Sequence, residues 1–384
     1  MIRVNEKNEC CGCAACKEIC PVGAIEMIED QIEGFKYPRI DTNICIKCNR
    51  CKNVCAFINS KKAKVQEEIY AVKNKDDNIR KISTSGGFFS VIACEVLKRS
   101  GIVYGCILDK NLNVRHERID NIKNVKMLYG SKYVQSDMEK CYKSIEKDLK
   151  DEKLVLFSGT PCQVAAIKRY FNIQKINMKN LITCDFVCHG VPTPKIFRNH
   201  ISFLEKKYKR KVKSYRFRTK SFGWRGHHEE AIFEDGKVLN SGKYLDIYKE
   251  LYGSLNIIRP SCFNCKYIST NHFSDITFAD FWGIENNYKE FSDNEGISFV
   301  MINTDSGSKL FDSVKDNIKY IEAKKEDCRN PKLQGIITHP KNREKFFREY
   351  DKKGYLFIAR KYTTFGIIKK VKVSLYKLLK YIKD

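Results

Sequence analysis

Four cysteines at fixed intervals, Cys10-x2-Cys13-x2-Cys16-x3-Cys20-Pro21, recur as Cys45-x2-Cys48-x2-Cys51-x3-Cys55. Three thiolates two residues apart wrap one face of an iron-sulfur cube in a tight loop, and the fourth, on the helix that follows, is directed to the other cluster. The spacing therefore predicts crossed ligand sets. Cys10, Cys13 and Cys16 are joined by Cys55, and Cys45, Cys48 and Cys51 by Cys20, which leaves Cys11 spare. Zinc sites are built from two C-x2-C pairs and have no use for a third cysteine at the same interval. Ala56 stands where a proline closes the first motif, which loosens the start of the second turn without removing a ligand.

Length and composition fit a larger protein around this module. At about 150 residues to a domain, 384 residues predict two or three domains. No apolar run approaches the roughly 20 residues of a spanning helix, and mean hydropathy is −0.45. The first residues, Met1 to Lys7, lack the apolar core of a signal peptide, so a cytoplasmic location is expected. In a reducing compartment, 18 cysteines point to metal ligation rather than disulfides. A net charge of +25 would by itself suggest an acidic partner. Three clusters carrying about −2 each would bring it to about +19, still basic.

Residues 1–60 are read as an α+β ferredoxin-like cluster module, with short strands over 23–28 and 36–40, of the bacterial two-cluster type. The polar stretch 59–68 is the expected linker. A helical pattern over 87–98 then precedes a strand over 102–108, and a strand over 153–157 precedes a helix over 162–171. This alternation predicts a larger α/β domain over 70–340, in parts of about 70–155 and 156–340, with functional groups on the turns after its strands. Residues 341–384 are read as a basic helical tail. Ser83-Thr84-Ser85-Gly86-Gly87 opens a helix, suited either to a cofactor phosphate or to simple capping. Cys162 and Cys188 lie on turns rich in glycine and proline, and Cys262-x2-Cys265 adds one more pair. That pair either joins Cys162 and Cys188 in a scattered four-thiolate site or is half of a zinc site. Cys94, Cys106, Cys141 and Cys328 are read as packing residues.

Ser85-Gly86-Gly87, Gly130-Ser131-Lys132-Tyr133, Pro161-Cys162-Gln163, Cys188-His189-Gly190 and the Cys262/Cys265 pair together resemble the family of coenzyme F420 hydrogenase/dehydrogenase beta subunits. The resemblance covers roughly residues 70 to 340, behind a ferredoxin module as in many bacterial members. It implies an FAD in the α/β domain beside a further 4Fe-4S cluster held by Cys162, Cys188, Cys262 and Cys265. Flavin contacts are implied from Ser85, Gly86, Gly87, Lys132, Tyr133 and Gln163. Ala279 replaces a glycine usual in the late Asp280-Phe281-Trp282-Gly283 motif, which bears on the shape of the flavin pocket. Family members reduce deazaflavin coenzymes or tetrapyrroles, or lie near surface-polysaccharide genes, and the motifs do not choose among these.

The chemistry so implied is an iron-sulfur flavoprotein oxidoreductase. Electrons from a ferredoxin or partner subunit pass through the clusters to FAD and on to a small-molecule substrate or deazaflavin-like coenzyme, or run in reverse. His189 is the candidate proton donor, with a histidine simply hydrogen-bonded in the Cys188 turn as the alternative. The rival from another class is a non-catalytic electron-relay subunit. The basic, aromatic run from Arg216 to His228 is assigned to an anionic substrate or the FAD pyrophosphate, with a solvated strand edge as the alternative, and no nucleic acid is expected. Over 367–384, apolar Ile367, Val371, Leu375, Leu378, Leu379 and Ile382 share a helical face flanked by lysines. That face suits peripheral contact with the inner face of an anionic membrane, or docking into the protein's own core.

Overall fold

The computed structural model describes residues 1–60, 68–268, 272–333 and 337–366. In the cluster module, strands β1 (Ile25–Glu29) and β2 (Lys36–Ile40) pair antiparallel, with Ile25 opposite Ile40. Strand alternation turns Ile25 and Met27 inward and Glu26 and Ile28 outward.

The larger body is α/β, built on an eight-stranded mixed sheet. It contains β3 (Glu68–Asn74), β4 (Ile102–Leu108), β5 (Val114–Ile119), β6 (Val155–Ser158) and β7 (Leu181–Phe186). The chain then makes a separate three-stranded sheet of β8 (Val212–Thr219), β9 (His228–Phe233) and β10 (Val238–Asn240). It returns to the large sheet as β11 (Ile276–Asp280), β12 (Ser298–Ile302) and β13 (Ile318–Glu322). The spatial order is β13-β3-β12-β11-β7-β6-β4-β5.

The four middle strands β11, β7, β6 and β4 are parallel, and the flanking pairs are antiparallel. Parallel neighbours need a crossover, which helix Pro161–Gln174 supplies between β6 and β7. Val155, Leu156 and Phe157 of β6 are all fully buried, as expected of a strand covered on both faces. Ser158 pairs with Cys184, so the turns after β6 and β7 leave the sheet at one edge. That edge, the carboxyl end of the parallel strands, is where open α/β sheets place their ligands.

Helix Phe88–Lys98 starts from Gly87, whose left-handed backbone (φ 81°) costs a glycine nothing. Its Phe88, Val91, Ile92 and Val96 pack on Val103, Leu156 and Val300 of the sheet. Helices Pro194–Tyr208, Asp246–Gly253 and Arg343–Tyr362 enclose the three-stranded sheet around Phe197, Phe217, Tyr248 and Phe346. Arg343–Tyr362 bends at Gly354 (φ 75°) and buries Phe346, Phe347, Tyr350 and Ile358 in that core. No helix among the described residues is long and apolar enough to cross a membrane. The amphipathic stretch 367–384 and linker residues 61–67 lie outside the described residues.

Candidate functional site

The two cysteine loops repeat in backbone as well as in sequence. Gly12 and Ala14 in the first, and Lys47 and Asn49 in the second, all have positive φ. Ala14 and Asn49 lead into the short helices Ala15–Glu18 and Arg50–Val54, which carry Cys16 and Cys51. Cys20, Cys45, Cys48 and Cys51 line one recess of about 340 Å³, walled by Val22, Ile25, Ile40 and Ile46. Cys20 thus lies with the second loop. Cys10, Cys13, Cys16 and Cys55 form the other group. Burial pushes the Cys16 thiol up, and proximity to Cys13, Cys10 and Cys55 pushes it further. Cys55 is pushed up to about 12 by burial and then by Cys13. Backbone amides point at sulfur in both groups: Gly12 to Cys10 at 3.4 Å, Ala24 to Cys20 at 3.3 Å and Ile2 to Cys51 at 3.1 Å.

A second recess, of about 650 Å³, opens at the carboxyl edge of β6 and β7. Cys162, Cys188, Cys262 and Cys265 line it together with Cys11. Cys162 is the second residue of helix Pro161–Gln174, and Cys262 lies in the short turn Pro260–Asn264. The four scattered cysteines therefore do meet, and Cys11, spare by spacing, meets them. Its hydrogen bonds to Cys13 and Cys162 hold the Cys11 thiol well above its ordinary range and bring Cys13 down to about 7. Cys11 is the contact between the first loop and the third thiol group.

Several residues that spacing did not single out complete this junction. Tyr267 is buried, and its hydroxyl donates to the Ala56 carbonyl at 2.7 Å, pinning the Cys265 turn to the residue after Cys55. Arg259 is fully buried, with Nε donating to the Cys10 carbonyl at 2.6 Å and Nη2 to the Lys36 carbonyl at 2.9 Å. His272 lines the recess and is oriented by Asp185 at 2.9 Å, which also accepts from the Thr277 hydroxyl at 2.6 Å. Asp185 beside Cys184 and Arg259 three residues before Cys262 were the only signals in the sequence.

The residues expected around a flavin gather further along the same sheet edge. The Thr84 hydroxyl accepts from the Ser131 amide at 2.8 Å, which brings the Ser85-Gly86-Gly87 turn against Lys132 and Tyr133. Lys220 reaches in from just after β8, its Nζ donating to the Arg80 carbonyl at 2.7 Å and the Ser85 carbonyl at 2.5 Å. Burial, and then Arg80, hold Lys220 down to about 7; burial alone holds Lys132 down to about 8. Tyr133 lies 3.4 Å from Nε2 of His227, and half-buried His189 is close enough to act on His227 electrostatically.

Other expected contacts are spent within the fold. A Cβ on Gly86 would stand 2.2 Å from the Val72 carbonyl oxygen, so its bare face is taken by β3. Ser85 donates to the Ile297 carbonyl at 2.8 Å. Gln163 closes a capping box with Thr160 and donates to Ser136 at 2.9 Å. Arg218 of the basic run turns inward, paired with Asp280, which also accepts from Trp224 Nε1 at 2.8 Å. Ala279 pairs with Phe299 across β11 and β12.

The donor chemistry fits iron-sulfur clusters: thiols, sulfur-directed amides and apolar walls. Among the described residues no three His, Cys, Asp or Glu side chains converge on a single-ion site, and the thiols ring wider recesses instead. Lys132 Nζ donates to the Met127 and Tyr129 carbonyls and Lys220 Nζ to those of Arg80 and Ser85, which leaves each ammonium one N–H for an anionic group such as a flavin phosphate, whereas Gly86 and Gln163 do not have free faces for one.

Residues 9–58 match the family model of the 4Fe-4S dicluster domain, and residues 152–328 that of the C terminus of the coenzyme F420 hydrogenase/dehydrogenase beta subunit. The F subunit of the F(420)H(2) dehydrogenase of Methanosarcina mazei is 24% identical over 335 residues, covering 83% of this chain and 86% of that protein. A chain of the F420-reducing NiFe hydrogenase complex of Methanosarcina barkeri, solved as a xenon derivative, is 19% identical with a TM-score of 0.47, over 79% of this chain and 94% of that one. The chain carries a 4Fe-4S dicluster domain followed by a C-terminal domain of the family of coenzyme F420 hydrogenase/dehydrogenase beta subunits.

Proposed function

We propose that this iron-sulfur protein is an FAD-dependent oxidoreductase that exchanges electrons between a redox partner and a small organic substrate or deazaflavin-like coenzyme. One observation carries the reading: Cys162, Cys188, Cys262 and Cys265 share a recess with Cys11, next to the first cysteine loop. Clusters handle single electrons and a flavin exchanges them for a hydride, so the two belong in contact.

In this reading Cys10, Cys13, Cys16 and Cys55 hold one cluster, Cys20, Cys45, Cys48 and Cys51 a second, and Cys162, Cys188, Cys262 and Cys265 a third. Lys132 and Lys220 bind the anionic part of the flavin, and Tyr133 packs beside it. His189 is the proton donor at the reacting edge; burial, and then Arg218, hold the neighbouring His227 down to about 4, so it stays neutral. The partner approaches at the Cys48 loop, where Ile44 and Ile46 are 49% and 61% exposed beside exposed Lys47 and Lys52. An apolar centre with a basic rim suits a small acidic one-electron carrier of the ferredoxin kind, or an acidic face of a partner subunit. The M. mazei relative is itself named as a subunit, which supports such an assembly.

A relay without flavin is favoured by the internal use of Ser85, Gly86 and Gln163. Anaerobic purification with iron, acid-labile sulfide and flavin measured on one sample separates the two. About 12 irons and one FAD per chain are expected. About 12 irons without flavin would establish the relay, and about eight would remove the third cluster.

A further inference from the structure

Arg259 is a buried cation without a carboxylate. Its side chain donates to the Cys10 carbonyl at 2.6 Å, the Lys36 carbonyl at 2.9 Å and Gln135 Oε1 at 2.8 Å, all neutral acceptors. The guanidinium stacks over Tyr37 at 4.5 Å and Phe35 at 5.2 Å. Among the described residues no Asp or Glu forms an ion pair with it. A full charge held away from water is strongly unfavourable unless an anion answers it. The group that can carry that negative charge is Cys10, whose Sγ lies 3.6 Å from Nη2.

The surroundings are shaped for this contact. Gly12 has φ +70°, and a Cβ there would stand 2.6 Å from Arg259 Nη1 and 2.6 Å from Gln135 Nε2. Gln135 in turn donates to the Cys11 carbonyl at 3.0 Å. The Arg259 backbone carbonyl accepts from the Cys262 amide at 3.0 Å, so one residue ties the first loop to the third thiol group. Among the described residues the other loop has no equivalent. Lys47 there is exposed, where water screens it, and Arg50 is turned to Gln174.

We propose that Arg259 is the counter-ion of the cluster held by Cys10, Cys13, Cys16 and Cys55, and sets its reduction potential above that of the cluster held by Cys20, Cys45, Cys48 and Cys51. The proposal rests on those ligand sets. Reduction adds one electron and no proton, and the added negative charge is stabilised by a cation that hydrogen-bonds the ligand sulfur in a low-dielectric setting. One electron therefore moves downhill from the outer cluster, which is oxidised, to the inner one, which is reduced. Arg259 acts as a positioning and tuning residue.

The test is an anaerobic redox titration of the full chain followed by electron paramagnetic resonance, with iron and sulfide counted on the same samples. Arg259→Gln should keep the iron of the parent protein. It should lower the reduced-to-oxidised ratio of one cluster at least tenfold at fixed potential, a shift of about 59 mV to more negative values. Arg259→Lys should restore part of that shift. Gln135→Glu keeps the arginine and gives it a carboxylate, so it should shift the same cluster in the same direction and serves if Arg259→Gln does not fold. Unchanged potentials in iron-replete variants overturn the proposal. A parent protein without two cluster signals overturns the ligand sets beneath it.

Discussion

Cys11 shows how much depends on single atoms at the junction. Its thiol hydrogen-bonds to Cys13 of the first loop and to Cys162 of the scattered group, so five sulfurs compete for four corners of the inner recess. Cys162 sits in the first turn of helix Pro161–Gln174, and Cys262 and Cys265 in and just after the turn Pro260–Asn264, whereas Cys11 belongs to the first cysteine loop. We expect Cys11→Ala to retain about 12 irons per chain and Cys262→Ala to lose about four. Iron and sulfide analysis checks this, and an equal loss in both variants would place Cys11 among the ligands. Nothing in the intervals between cysteines reveals this role, because Cys162 lies far along the chain. Arg259 and Arg218 were illegible for the same reason: the groups that answer them, Cys10 and Asp280, are 249 and 62 positions away.

At the scale of elements, what the sequence disclosed follows a physical rule. Both cluster loops, strands β1, β2, β4 and β6 and the helices after Gly87 and Thr160 were legible, because local spacing and turn chemistry determine them. β8 was legible only as the alternative of a solvated strand edge; in the structure Arg216 meets Glu230 and Arg218 turns inward to Asp280. β12, Ser298–Ile302, is buried at every position and so has no alternation to betray it. Cys184, Asp185 and Phe186 lie inside β7, ahead of the Cys188 turn. The docking of the cluster module was equally hidden. Glu33, between β1 and β2, pairs with Arg343 at the start of Arg343–Tyr362, their side chains 9% and 6% exposed. Arg343 also donates to the Ile258 carbonyl at 3.1 Å, beside Arg259. Glu33→Gln strands the arginine's charge and should destabilise the protein by about 3–5 kcal/mol in denaturant unfolding. Adding Arg343→Met should recover part of that loss, and an unchanged midpoint in Glu33→Gln would show the pair to be solvated.

For the whole molecule, the burial of the thiol groups sets a direction of travel. Cys48 is exposed, while Cys11, Cys162, Cys188, Cys262 and Cys265, which line the inner recess at the sheet edge, are each only partly exposed. Electron exchange with another protein is therefore easiest at the Cys48 loop, the face where apolar Ile44 and Ile46 stand among lysines. The +25 charge of the chain reinforces attraction to an acidic carrier, and attraction of that kind weakens as salt rises. Reduction of the clusters by an acidic ferredoxin should slow with ionic strength. Charge reversal at two positions on the approach path, Lys47→Glu with Lys52→Glu, should cut the rate by about tenfold at low salt, within the range that steering commands. Reduction by a small neutral dye should stay the same, because a dye needs no oriented docking. Stopped-flow bleaching of the cluster absorbance with each reductant separates these outcomes. Equal slowing with both would mean that the substitutions had damaged the cluster, and no slowing with either would move the port away from the Cys48 loop.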